Sequence, residues 1–184
     1  MIYGLVLAIS MRRLTISFAA LLGMSMCPIV FAETATFTLP SGVAVRIVEA
    51  PFKASKFKVQ NCTDEEMPCL INGRVPFGVG HGFPRTYLKS ITVSFEKRSY
   101  SLDVADMYNA WGNRPLEVKG VVRYFGGRCF DAMNCHFRGL FADAGASFVA
   151  EWHIVEGVPN RTVLTASADV VNLFMENIDP PVLE

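Results

Sequence analysis

The sequence predicts an α+β domain with a mainly antiparallel sheet, two short helices and two disulfide staples. Three observations carry this. Apolar residues alternate with polar ones over most of the chain after residue 32; two segments carry helical spacing instead; and four cysteines fall into two close pairs behind an export-type leader.

The leader comes first. Residues 1–32 hold no acidic residue, Met11-Arg12-Arg13 is a positive start, and Leu14 to Ala32 is an apolar run ending on small Ala32. That layout predicts a secretory signal peptide cleaved after Ala32, with translation starting at Met11. A retained anchor is the competing reading, because the run is long enough to span a bilayer. Pro28 interrupts it, however, and no basic stop-transfer cluster follows. Lipid attachment at Cys27 would place the bulky Met26 where a small residue is usual. The expected mature chain, 33–184, is one domain large enough to bury a core. Without Arg12 and Arg13 it carries 15 basic against 17 acidic residues, a net −2. No basic stripe speaks for nucleic acid, and no stable membrane insertion is expected after cleavage.

Elements follow in chain order. "TATFTLPSGVAVRIVEA" reads as two strands about a Pro40-Ser41-Gly42 turn. "SITVSFEKRSYSLDV" reads as a hairpin turning at Glu96-Lys97-Arg98-Ser99, with Ile91, Val93 and Phe95 on one face. In residues 103–111, Val104, Met107, Tyr108 and Trp111 stand at i, i+3, i+4 and i+7; Asp103 can cap the start and Gly112 suit the end, which predicts a helix. "LEVKGVVRYFGG" reads as a strand ended by Gly126-Gly127. "ASFVAEWHIVEGVPNRTVLTAS" reads as a hairpin turning near Gly157-Val158-Pro159-Asn160. Phe148, Ala150, Trp152 and Ile154 share one face of it; Val149, Glu151, His153 and Val155 share the other. A second helix is expected over residues 168–178, capped by Ser167, striped by Val170, Leu173, Phe174 and Ile178, and stopped by Pro180-Pro181.

An even cysteine count in an oxidising compartment reads as disulfides, and the spacing predicts the local pairs Cys62–Cys69 and Cys129–Cys135. Each closes a short loop with turn-forming residues, worth about 2 kcal/mol by chain entropy. Zinc on the thiolates with His136 is a competing reading, but C-x6-C and C-x5-C-H are not the usual close knuckles. A catalytic Cys-His pair would need one thiol left free. His136 is therefore read as an ordinary neighbour of the clip.

Other candidate chemistry is sparse. "PFGVGHGFPR" sets His81 among glycines with Arg85 close behind, so its amides could cradle an anion, but no phosphate-binding or dinucleotide fingerprint is present. Glu151 and His153, at i and i+2, could pair a carboxylate with an imidazole base; a solvated strand face is the plainer reading. No spacing in the sequence brings two histidines together, and no serine nucleophile motif occurs. Trp111, Tyr108 and Trp152 are read as core aromatics, and Asp143 as a turn residue rather than a calcium ligand. No metal and no cofactor is expected. Asn61 and Asn160 match the glycosylation pattern.

The functional expectation is a periplasmic or secreted, non-enzymatic binding protein, of the inhibitor or immunity type, that neutralises a partner protein. Its contact candidates are Arg128, Phe130, Asp131 and Arg138 around the Cys129–Cys135 clip, with His81 and Arg85 second. The alternatives are a periplasmic hydrolase using His153 and Glu151 or His81, and a small-ligand envelope protein. A deep pocket with converging polar groups would mark an enzyme; an exposed apolar patch with a polar rim would mark a protein binder.

Overall fold

A computed structural model describes residues 33–63, 68–111, 122–141 and 146–180. The expected leader, Gly112, Asp143 and the predicted strand up to residue 121 lie outside the described residues. Two four-stranded antiparallel sheets face each other across one core. The first has the order β1 (Glu33–Thr38), β2 (Ala44–Pro51), β5 (Thr86–Phe95), β6 (Arg98–Leu102). The second has the order β10 (Val158–Thr165), β9 (Phe148–Val155), β8 (Asn134–Phe141), β7 (Phe125–Asp131). A small ribbon of β3 (Val59–Gln60) and β4 (Leu70–Ile71) lies in the excursion between β2 and β5.

Alternation explains the layers. Ala35, Val45, Ile47, Ile91, Val93 and Leu102 point inward from the first sheet; Phe125, Phe137, Phe148, Ala150, Trp152 and Ile154 meet them from the second. Nonpolar side chains leave water on both inner faces, and that burial is the main force holding the sheets together. Hydrogen bonds also cross between them. Trp152 Nε1 donates to the Asp103 carbonyl at 2.8 Å, and the Ser41 hydroxyl donates to the Gly127 carbonyl. Both hairpins expected around residues 96 and 157 form. Their turns are two residues long, with Glu96 at φ 53° in one and Glu156 and Gly157 at φ 52° and 80° in the other. Left-handed turn residues match the strands' own twist.

Both cysteine pairs are joined as the spacing predicted. Cys129 and Cys135 are direct cross-strand partners on β7 and β8, with Cα atoms 4.0 Å apart, so the clip ties two strands rather than closing an irregular loop.

Three expectations change. Residues 103–111 are not helical: they form turns and isolated bridges, Phe77 with Met107 and Tyr87 with Tyr108. Asp106 and Asn109 adopt φ 67° and 41°, which no right-handed helix allows. Asp103 does accept from the Ala105 amide at 2.9 Å, and Met107, Tyr108 and Ala110 are buried, so the cap-like and apolar positions serve a loop that folds into the core. Gly126 and Gly127 lie inside β7 instead of ending it. The reason at Gly126 is a close approach: an added Cβ would stand 2.2 Å from the Ile178 carbonyl oxygen. The single α-helix among the described residues, α1 (Ala168–Glu176), has Ser167 at its N-cap position without a side-chain cap bond. It buries Val171 and Phe174 on Leu140 and Val149, on the outer face of the second sheet. Leu173, expected in the stripe, is exposed and Val171 takes its place.

Candidate functional site

The outer face of the second sheet is covered by α1 at one end and carries a largely sheltered polar cluster beside it. There β8 and β9 bring four polar side chains into one block, because register pairs His136 with His153 and Arg138 with Glu151. His136 Nε2 lies 3.0 Å from Glu151 Oε2, His153 Nε2 lies 3.1 Å from Glu151 Oε1, and the two Nε2 atoms are 2.9 Å apart. Arg138 Nε donates to Glu151 Oε2 at 2.5 Å. Its guanidinium sits 4.9 Å above the centre of the Phe174 ring, a cation–π contact that ties the block to α1. Thr162 is the extra residue of a bulge on β10, between Arg161 and Val163, and its hydroxyl lies 3.3 Å from both the carbonyl and Oε1 of Glu151. Such bulges re-aim a side chain.

Electrostatics follow from burial and these partners. Burial raises the Glu151 pKa, but hydrogen bonds from His136 and Arg138 outweigh it and hold the carboxyl below its usual value. Burial pushes His136 down; the charges of His153 and Arg138 push the same way, and Glu151 opposes them. His136 is the sheltered imidazole, 13 % exposed, and His153 the open one, at 42 %.

The four groups are only partly those expected. Glu151 and His153 do share a face, and Arg138 belongs with them rather than with the clipped tip. His136, read as a bystander, is the residue that sequence reasoning missed. Two imidazoles and a carboxylate converging on one point are a donor set that suits a divalent metal.

The β7–β8 tip lies one register step beyond the block. Phe130 is the extra residue of a bulge between Cys129 and Asp131 and is 58 % exposed. Asp131 is occupied within the turn: its carboxylate accepts from the Met133 amide at 2.6 Å and the Asn134 amide at 2.9 Å, and from the Asn134 side chain. These bonds, Asn134's first, hold its pKa below the usual value. Arg128 pairs across the strands with His136. The Met133 carbonyl accepts from the Gly157 amide at 2.9 Å and the Asn134 side chain from the Glu156 amide, so the β7–β8 and β9–β10 tips are joined.

His81 and Arg85 are exposed, and His81 does not belong to the His136–Glu151–His153 cluster. Their loop is held against residues 106–109: the Asn109 side chain donates to the Gly78 carbonyl at 3.0 Å and accepts from the Arg85 amide at 2.8 Å. A cavity of about 180 Å³ lined by Phe57, Asn72, Tyr87, Met107 and Tyr108 is smaller than ordinary ligand pockets of about 300–1,000 Å³, and no histidine lines it. Burial, with the Asp106 charge adding, pushes Tyr108 there up to about 12. No protein-family model matches the chain, and no similar curated protein or solved structure is found.

Proposed function

We propose that this is an exported protein-binding domain that engages a partner protein through its joined β7–β8 and β9–β10 tips, in the manner of an inhibitor or immunity protein. The observation that carries this reading is the apolar surface at the tips. Phe130, Met133, Val155 and Val158 are 36–58 % exposed there, and polar Arg128, Asp131, Asn134 and Glu156 stand beside them. Apolar residues gathered at a rigid, polar-rimmed point are what a protein interface uses. The clip, the Asp131 turn bonds and the bond between tips preorganise that point, so little conformational entropy is lost on docking. Export is supported by the two disulfides and by the leader-like N-terminal sequence. Among the described residues no helix is long and apolar enough to cross a membrane.

Site-specific photo-crosslinking tests the placement. A photoreactive residue at Met133 should yield one dominant protein adduct in envelope or secreted extracts, and the same residue at Leu173, more exposed on α1, should not. An adduct from position 173 alone would move the interface to the helix.

A further inference from the structure

We infer that His136, His153 and Glu151 form a binding site for a divalent first-row transition-metal ion such as Zn2+, on the outer face of the second sheet.

Geometry points there first. The Nε2 atoms of His136 and His153 are 2.9 Å apart, and each lies 3.0 or 3.1 Å from one oxygen of the Glu151 carboxylate. One donor atom from each of the three residues lies within 4.8 Å of the other two, so a single cation can reach all three.

Distance agrees. For metal–ligand bonds of about 2.1 Å, the two nitrogens, 2.9 Å apart, subtend an angle of about 90° at the ion, and a Glu151 oxygen completes the set. These are neighbouring positions of a five- or six-coordinate ion, and the positions left over would take water. Two nitrogens and one oxygen suit the borderline ions of the first row better than calcium or magnesium, which take oxygen.

The surroundings support the triad as a built site. Arg138 and Thr162 bond to Glu151 and fix its carboxylate, as outer partners of metal ligands do. The Arg138 charge opposes a cation, but it engages Oε2 and leaves Oε1 toward His153. All three ligands lie on adjacent paired strands, so the site is rigid, and His153 is open enough to let an ion enter. None of the exposed apolar tip residues belongs to the site, and it adjoins the proposed interface only where Arg128 of the rim pairs across the strands with His136.

The test uses the oxidised, tag-free protein, stripped with chelator and titrated with Zn2+ by calorimetry and with Co2+ by visible absorption. One ion per chain is expected, with a raised Tm and the weak Co2+ bands of five- or six-fold coordination. His153→Ala removes a half-exposed ligand and should weaken Zn2+ binding at least about 30-fold, the 10- to 100-fold scale of losing ligand support being the lower guide. His81→Ala should leave it unchanged. In NMR spectra Zn2+ should shift the ring protons of His136 and His153 and not those of His81. Absence of saturable binding, or equal binding by folded His153→Ala, would overturn the assignment and leave a hydrogen-bonded cluster. Binding abolished by His81→Ala would overturn it as well.

Discussion

At the scale of single residues, buried charge decides what can be predicted. Arg138 bonds to Glu151, reaches the Asn177 carbonyl at 3.4 Å and stacks on Phe174. A lysine cannot do all three, because it lacks the planar fork. Arg138→Lys should therefore cost about 1–2 kcal/mol in urea unfolding, on the scale of one charge-assisted hydrogen bond. Glu49 is the second case. It is buried beside a bulge at Lys89 of β5 and accepts a hydrogen bond from the Thr86 hydroxyl. Burial raises its pKa above 4.5 and the nearby Glu33 adds to this, while bonds from Thr86 and the Ala110 backbone oppose it. A carboxyl raised in the folded state binds its proton more tightly there. Its stabilising contribution is complete below about pH 4.5 and is lost as pH rises through the folded value. Glu49→Gln should thus have a higher Tm than the parent at pH 7, with the gap closing as pH falls toward 4. A gap that widens on acidification would show that Glu49 is ionised in the fold.

At the scale of elements, close approaches set the tolerances. Gly126→Ala would drive its Cβ against the Ile178 carbonyl and should destabilise by about 2 kcal/mol or more, within the usual range for overpacking. Gly80, with open space around it, should accept alanine without a comparable steric loss. Replacing Cys129 and Cys135 together by serine should cost about 2 kcal/mol, since the closed loop is short. Strands were legible where alternation was strict: Phe148, Ala150, Trp152 and Ile154 all reach the core, as period two requires. The false helix at 103–111 arose because a loop that dips into a core at Met107, Tyr108 and Ala110 can mimic helical spacing. Asp106 and Asn109, residue types that tolerate left-handed backbone, were the signal against it. The histidine pair was hidden for a different reason. His136 and His153 meet through the β8–β9 register, and β8 goes unread if Gly126-Gly127 is taken as a strand end and the clip as a loop. Reading Asp131 to Asn134 as a tight hairpin turn would have placed His136 on a strand.

At the scale of the whole molecule, the two ends of the second sheet differ in use. Near one end α1 covers Leu140 and Val149; at the other, the joined tips expose Phe130, Met133, Val155 and Val158 beside their polar neighbours. A fold that only needed burial would gain nothing from an exposed phenylalanine on a bulge beside a disulfide, and a binding surface gains both reach and rigidity from it. Binding should therefore be separable from folding. The most direct measurement is the affinity of the crosslinked partner for the parent and for Phe130→Ser combined with Val158→Ser, with thermal unfolding recorded for both. Tip anchors of the hot-spot kind contribute about 2 kcal/mol each, so affinity should fall at least about 30-fold while Tm stays within a few degrees. A correctly folded double variant that binds the partner as tightly as the parent would contradict the assignment of the tips as the binding surface.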